Sequence, residues 1–532
     1  MKITAKTVFN LIIGRETNKP NHGDPSREVF ETVVFVVVLV LMLKLFVAEA
    51  FVIPTGSMAS TLYGDQFIAE CPECSHRFPV SASVSYGRRM VAEKVSCQNC
   101  GHYYTPENAR DWNSGDRVLV AKYEYHLRAP RRFDVPVFKY PEEPYHKTEL
   151  TAMNYIKRLI GLPGETIAIY QGDLYRTDKL TYANYPRPDN PLDLWQDDYM
   201  YANRRGRKNN SAMETNQEAA DFFMAGNFEM IRKSPDQILA VRRLVFDLDQ
   251  QPKTLEGTHR TRWHLSPADD AGWKMLEKGF EHEGEQFGWM SYHHIQPGWA
   301  NKDAIVQPAL IRDHLAYNIE QTSHRPQEGL SWVPDLLVEC KADFKSADAQ
   351  LILELVKSGT RYQAVFANGT CKLVILKSET PDKPVVLAEL PSKITTGEYS
   401  LRLANVDSRL TVWVNNRPMS FGDLGNYDPP NRTSFAETAL DVEQPSRIGA
   451  KGNVTCSKVK LWRDVFYTCY EGGNNASCGL QTYYVQPGHY LCLGDNSTSS
   501  SDGRYWGLVP ERLLLGRAAV IYWPASRWRV IE

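Results

Sequence analysis

Phe51-Val52-Ile53-Pro54-Thr55-Gly56-Ser57-Met58-Ala59-Ser60-Thr61-Leu62 sets a serine between a glycine and a methionine, just past a long apolar run. Pro54 favours an extended residue before it, and Gly56 lets a ligand come close to the backbone beside Ser57. A serine hydroxyl is a weak nucleophile and needs a base to take its proton. No Gly-x-Ser-x-Gly elbow surrounds Ser57, and no histidine stands out as a partner. The candidate base is in Asn154-Tyr155-Ile156-Lys157-Arg158-Leu159-Ile160-Gly161-Leu162-Pro163-Gly164-Glu165. Alternation over the strand predicted from Tyr155 to Ile160 puts Tyr155, Lys157 and Leu159 on one face. Burial disfavours an ammonium and lowers its pKa; a fall from about 10.4 to about 8 costs roughly 3 kcal/mol. A neutral Lys157 amine is then a general base for Ser57 near neutral pH.

Upstream, Val33 to Leu43 is unbroken and apolar, and Val29 to Ala48 makes about 30 Å of helix, enough for a hydrocarbon core. Glu31 and Lys44 fall near its ends, where long side chains reach the headgroups. Lys2, Lys6, Arg15, Lys19 and Arg27 precede it, and after Lys44 the next Lys or Arg is Arg77. The positive-inside rule therefore places residues 1–28 in the cytoplasm and the chain after about residue 48 outside. Ala48-Glu49-Ala50 also has the small-x-small form of a signal-peptide cleavage site. The long charged region before the run and the Ser57 stretch just after it favour a retained single-pass anchor in the cytoplasmic membrane.

Downstream, Gly64-Asp65-Gln66-Phe67-Ile68-Ala69 starts a strand, interrupted by Cys71-Pro72-Glu73-Cys74; Cys97-Gln98-Asn99-Cys100 follows after 22 intervening residues. Two Cys-x-x-Cys knuckles at this spacing are a zinc-ribbon pattern, with four thiolates completing a tetrahedron around a structural zinc. A pair of disulfides is the other reading, consistent with an oxidising compartment. Gly115-Asp116-Arg117-Val118-Leu119-Val120-Ala121 repeats the turn-and-strand start, so the ribbon interrupts one unit. Gly164 to Tyr170 running into Gly172-Asp173-Leu174-Tyr175 predicts a hairpin.

The 532 residues allow three or four domains. A formal net charge of −2 and the lack of a clustered basic stripe give no electrostatic case for nucleic acid, and no nucleic acid is expected as a partner. Thr177 to Leu330 is polar and aromatic-rich, with short helical patterns such as Asp270 to Glu281; His293-His294 reads as surface or packing. Trp332 to Tyr467 carries many short strands, among them Leu336–Ala342, Leu351–Val356, Tyr362–Phe366, Lys372–Leu376, Tyr399–Leu403, Leu410–Val414 and Lys458–Trp462. That spacing predicts a β-sandwich, similar in pattern to laminin-G or concanavalin-like modules, which makes a glycan or a protein its candidate partner and a spacer role equally consistent. Cys340, Cys371, Cys456, Cys469, Cys478 and Cys492 are available for disulfides outside the cell. Gly488 to Gly507 brings a strand into a turn dense in hydroxyls, Gly494-Asp495-Asn496-Ser497-Thr498-Ser499-Ser500-Ser501-Asp502-Gly503-Arg504.

In this order and behind an N-terminal apolar segment, these stretches resemble the bacterial type I signal peptidases (leader peptidases). The family pattern is Pro-Ser-Gly-Ser-Met-x-Pro-Thr-Leu, Gly-Asp with an apolar strand, Tyr-x-Lys-Arg-x-x-Gly-x-Pro-Gly and Gly-Asp-Asn-x-x-x-Ser-x-Asp-x-Arg. The resemblance covers roughly residues 29–68, 114–177 and 483–525. It implies Ser57 as nucleophile, Lys157 as general base and Ser500 as the group orienting the lysine. It also implies that Asp502, Arg504 and Arg158 brace the site, and that the Ser57 N–H and the Thr55 hydroxyl meet the oxyanion. Thr55, Ser60, Ser497 and Gly503 stand where the family has Ser, Pro, Arg and Ser. The implied substrates are the signal peptides of secretory preproteins at a lipid bilayer, with no cofactor for catalysis.

The predicted fold is mainly β: an N-terminal transmembrane helix, a signal-peptidase-type β catalytic core, an inserted zinc ribbon and an inserted β-sandwich. The expected division is a cytoplasmic N-terminus at 1–28, the transmembrane helix at 29–48, core segments at 49–68, 106–177 and 469–532, a ribbon-like insertion at 69–105, an unassigned insertion at 178–330 and the sandwich at 331–468. The competing function is a membrane-tethered glycan- or protein-binding module with a vestigial peptidase core.

Overall fold

The apolar run after the N-terminus folds as a helix from Pro25 to Met42, a π-turn from Leu43 to Val47 and then a strand, Ala48–Val52. The computed structural model describes residues 25–82, 84–85, 88–89, 94–107, 111–140, 153–180, 217–252, 262–265, 271–295, 307–318, 329–429, 435–468 and 479–532. Among them no helix is long and apolar enough to cross a membrane, which corrects the helix expected over 29–48. The helix opens on Arg27, Glu28 and Glu31, with Arg27 Nε 2.8 Å from Glu31 Oε1, and Ala48 is already in a strand. Val33 to Leu43 are nevertheless all exposed, so from Val33 onward this helix presents an apolar surface on every side.

The chain is mainly β. Ala48–Val52 pairs antiparallel with Arg117–Ala121, which pairs with Leu514–Trp523; that strand also pairs with Pro136–Lys139, which pairs with Asn154–Ile156. One sheet thus draws on the chain before the cysteine knuckles, between knuckles and insertion, and after the insertion. Its apolar face packs Val118, Val120, Val137, Ala518 and Ile521 with Met58 and Leu62, so the residues flanking Ser57 are pinned to this core. Thr166–Tyr170 and Asp173–Thr177 form the expected hairpin. Its tip, Gln171 (φ 52°) and Gly172 (φ 85°), is left-handed at both positions, the two-residue turn that matches strand twist.

The single strand expected from Tyr155 to Ile160 is corrected. Asn154–Ile156 pairs with Pro136–Lys139 and Arg158–Gly161 pairs with His489–Leu493, in a different sheet. Lys157 sits where the chain passes between the two sheets. Strict alternation would expose every second residue, whereas Lys157, Arg158, Leu159 and Ile160 are all buried.

The insertion is built on two facing sheets. One has the order Trp273–Leu276, Gly279–His282, Val454–Arg463, Leu336–Phe344, Gly397–Val406, Arg409–Val414, with Arg243–Asp247 also paired to Val454–Arg463. The other runs Trp263–Leu265, Gly288–Tyr292, Ser446–Lys451, Gln350–Lys357, Thr360–Ala367, Thr370–Leu376, Val385–Pro391. Trp263, Phe280, Met290, Leu351, Leu403 and Leu461 share the core between them. The stretch from Asp270 to Glu281, read as helical, instead contributes the strands Trp273–Leu276 and Gly279–His282. The edge of Val454–Arg463 gives that segment a ladder to join, and tertiary pairing overrides its local pattern.

Buried charges tie the insertion together and to the hairpin that carries Asp173. Lys357 Nζ lies 2.5 Å from Asp335 Oδ1 and 3.8 Å from Asp173 Oδ2, the latter on the core hairpin. Lys233 Nζ bridges Asp407 Oδ1 at 2.6 Å and Asp464 Oδ2 at 2.9 Å. The second cysteine knuckle grips the insertion too: Gln98 Nε2 donates to Leu244 O at 2.9 Å, Ala316 N donates to Gln98 Oε1 at 2.7 Å, and Asp247 N donates to Asn99 Oδ1 at 2.6 Å.

Candidate active site

The Ser57 loop has no sheet ladder of its own. Met58 and Leu62 anchor it in the core, and Leu62 N closes a turn on Met58 O at 2.8 Å. Its opening glycine is required by a close approach: a Cβ on Gly56 would stand 2.1 Å from Tyr317 Cε1. The neighbour that demands glycine is therefore an aromatic ring of the insertion, not the ligand approach expected from the sequence.

Lys157 Nζ lies 2.5 Å from Ser57 Oγ. Lys157 is 3% exposed and Ser57 9%. Burial, opposed by the carboxylates of Asp502 and Asp495, pulls the Lys157 pKa down from 10.5 to about 8. The amine also stands 5.4 Å from the centre of the Tyr155 ring. The pair is thus a hydroxyl in contact with an amine that loses its proton close to neutrality, which is the arrangement an activated serine requires.

Two buried ion pairs surround this contact. Arg158, 1% exposed, donates from Nε to Asp495 Oδ1 and from Nη2 to Asp495 Oδ2, both at 2.8 Å. Thr61 Oγ1 donates to Asp495 Oδ2 at 2.5 Å. One carboxylate therefore joins the serine loop to the residue beside Lys157. Burial pushes Asp495 upward, but the Arg158 guanidinium outweighs it and holds the carboxyl below its usual range. Asp502 is matched to Arg504 in the same way, Nε to Oδ1 at 2.9 Å and Nη2 to Oδ2 at 2.7 Å. Asp502 Oδ2 also takes Gly494 N at 2.8 Å, while Arg504 reaches Thr468 O at 2.6 Å and Ser497 O at 2.8 Å. Ser497, where the resembled family has arginine, accepts from Arg504 Nη1 at 2.5 Å and so serves the brace from the other side.

Ser57, Lys157, Arg158, Asp502 and Arg504 are thus brought together. Thr55 is exposed at the mouth of the loop. Ser500 Oγ is buried and finds no hydrogen-bond partner among the described residues; it packs against Gly494, whose Cβ would fall 2.1 Å from it. The implied bond from Ser500 to the lysine amine is not formed here. Sequence reasoning passed over four contributors. Asp495 and Asn496 belong to a motif it quoted, and their paired partners were invisible. Arg243 and Asn318 lie in the insertion and carried no signal: Arg243 Nη1 donates to Ala59 O at 2.9 Å and Nη2 to Asp495 O.

The four knuckle cysteines converge. Cys71 Sγ is 3.6 Å from Cys100 Sγ, Cys74 Sγ 3.6 Å from Cys97 Sγ, and all four sulfurs lie within 4.8 Å of one another. A tetrahedral zinc with Zn–S near 2.3 Å separates its sulfurs by about 3.8 Å, so the donor set fits that ion. Each knuckle closes alike, Ser75 N on Cys71 O and Gly101 N on Cys97 O at 2.9 Å, with Ser75 and Gly101 left-handed. None of the eight described cysteines is in a disulfide, which corrects the disulfides considered for the knuckles and for Cys340, Cys371, Cys456 and Cys492. Cys469 and Cys478 lie outside the described residues.

The family model described as signal peptidase, peptidase S26 matches residues 104–227 and 409–523. Over those two stretches the chain is similar to the peptidase S26 family. That match starts beyond Ser57, and the serine loop reaches the matched region through its contacts with Lys157 and Asp495. The chain is 26% identical over 164 residues to signal peptidase I of Rickettsia massiliae, covering 31% of this chain and 48% of that one. It is 27% identical over 176 residues to probable signal peptidase I-2 of Synechocystis, covering 32% and 57%. It spans about half the length of these relatives. A carbohydrate-binding module of Bacillus subtilis matches 38% of this chain and 96% of its own, at 11% identity and a TM-score of 0.24.

Proposed function

We propose that the protein is a membrane-associated serine endopeptidase that removes signal peptides from exported preproteins. The observation that carries this reading is the buried 2.5 Å contact between Lys157 Nζ and Ser57 Oγ, with an amine that titrates at about 8. Lys157 takes the Ser57 proton as Oγ attacks the scissile carbonyl, and returns it to the leaving amine. The acyl-enzyme is then hydrolysed by water activated by the same amine. The Ser57 N–H and the Thr55 hydroxyl receive the oxyanion. Arg158 with Asp495 and Arg504 with Asp502 hold the two loops, and the unpartnered Ser500 hydroxyl is the group available to orient the amine. No cofactor enters the chemistry. Cys71, Cys74, Cys97 and Cys100 would hold one zinc, a closed site with a structural role.

The exposed apolar helix from Val29 onward is read as the surface through which the protein associates with a membrane. An enzyme and a substrate that share one bilayer meet at a raised effective concentration. The sandwich is read as a brace for the serine loop, through Arg243 and Tyr317, more than as a glycan reader. The binding-module reading is weakened by the intact Ser57–Lys157 contact.

The test is cleavage of a preprotein with small residues at −1 and −3 by the wild-type chain, Ser57→Ala and Lys157→Ala. A single new N-terminus after the small residue, made by wild type alone, is the expected result. Equal processing by all three removes the enzyme.

A further inference from the structure

The Gly56–Ser57 peptide is a planar unit, so its carbonyl and its N–H point in opposite directions and turn together. Whatever holds Gly56 O therefore aims the Ser57 N–H. Gly56 O accepts from Asn496 Nδ2 at 3.0 Å and from Ala59 N at 3.0 Å. Asn496 N donates to Ser57 O at 3.0 Å, so one buried asparagine grips both peptides around the nucleophile. A terminal amide torsion is broad and roughly two-fold, and the Asn496 amide needs something to fix it.

That something comes from the insertion. Asn496 Nδ2 donates its other hydrogen to Asn318 Oδ1 at 2.6 Å, and Asn318 Nδ2 donates back to Asn496 Oδ1 at 3.1 Å. Asn318 is itself fixed, its N–H closing a turn on Leu315 O at 3.0 Å. The preceding residue, Tyr317, is buried, presses its ring on Gly56 and accepts Gly64 N on its hydroxyl at 3.1 Å. The same segment is tied to the cysteine knuckle through Ala316 N and Gln98.

We propose that Asn318 is a positioning residue for the oxyanion site: through the paired amide of Asn496 it sets the plane of the Gly56–Ser57 peptide and so the direction of the Ser57 N–H. The inserted module is then part of the catalytic apparatus although it supplies no group to the reacting atoms. This inference rests on the reading of Ser57 as the nucleophile of a peptidase.

The experiment compares full-length wild type with Asn318→Leu, which keeps side-chain size and removes both amide bonds, using a preprotein-derived peptide and a peptide boronate as transition-state probe. The expected result is a kcat per titrated serine lower by roughly tenfold to a hundredfold, since losing an oxyanion donor outright costs about 10²–10³. KM and the pH midpoint of kcat/KM stay unchanged, and boronate affinity falls by the same factor as kcat/KM. An unchanged kcat per titrated site, or a loss confined to the number of titratable sites, overturns the proposal. A crystal structure of Asn318→Leu decides independently of activity: a turned Gly56–Ser57 peptide supports it and an unmoved one overturns it. If the wild type cleaves no preprotein, the peptidase reading fails, and the crystal structure still decides the positioning role.

Discussion

Arg158 and Asp495 form a buried two-bond ion pair, with both nitrogen–oxygen distances at 2.8 Å, and through Thr61 the same carboxylate holds the serine loop. The pair is therefore the joint between the two halves of the dyad. Removing one partner of a buried pair leaves an uncompensated charge and costs about 3–5 kcal/mol. Asp495→Ala is expected to lower the unfolding free energy, read from urea titrations, by that amount and to reduce kcat even where the chain remains folded. Replacing Arg158 and Asp495 together by Met and Leu is expected to recover part of the stability without the activity.

Lys157 carries a cost in the folded state. Its pKa is about 8 when folded against 10.5 ordinarily, so between those values the unfolded chain binds more protons and stability rises with pH. Below about 8 the full penalty applies, and above 10.5 it has vanished. Lys157→Met is expected to be inactive and, at pH 6–7, more stable than wild type by about 3 kcal/mol at most. The gain should shrink as pH rises through 8 to 10.5. Denaturant titrations of both chains at several pH values measure it.

Gly56 is glycine because Tyr317 leaves no room for a Cβ. Gly56→Ala must move either the ring or the loop, and a displacement of about 1 Å at a nucleophile costs up to roughly a hundredfold in rate. Tyr317→Ala in the Gly56→Ala chain is expected to restore part of kcat/KM, because the space is returned although the Tyr317 bond to Gly64 N is lost.

The cysteine cluster is expected to bind one zinc per chain, measured by metal analysis, and Cys97→Ser to abolish it. Because Gln98 and Asn99 hold Leu244, Asp247 and Ala316, loss of the metal should lower the melting temperature and also loosen Arg243 and Asn318 against the serine loop. A several-fold loss of kcat on chelation is expected, although the metal touches no reacting atom.

The Ser57–Lys157 pair was legible because each member sits in a motif with its neighbours: Ser57 between Gly56 and Met58, Lys157 before Arg158 and a Gly-x-Pro-Gly turn. The knuckles were legible from spacing alone, and the strands from Leu336 to Trp462 from their alternation and turns. The break of the strand at Lys157 was not, because nothing local tells a strand that continues from one that changes sheets. Nor were Arg243 and Asn318, whose partners lie far along the chain and are set by how the sandwich docks. The helix at Pro25–Met42 stopped short of the expected span because Ala48 gains a ladder with Ala121, a long-range pairing that hydropathy does not contain.

The most direct measurement is kcat/KM for a preprotein-derived substrate between pH 6 and 10 in the wild-type chain, with Ser57→Ala and Lys157→Met as controls. The expected profile rises with pH to a midpoint near 8, as the Lys157 amine loses its proton, and both controls are inactive. A midpoint at the ordinary 10.5 of a solvated lysine, or cleavage by Lys157→Met at the wild-type rate, would contradict it.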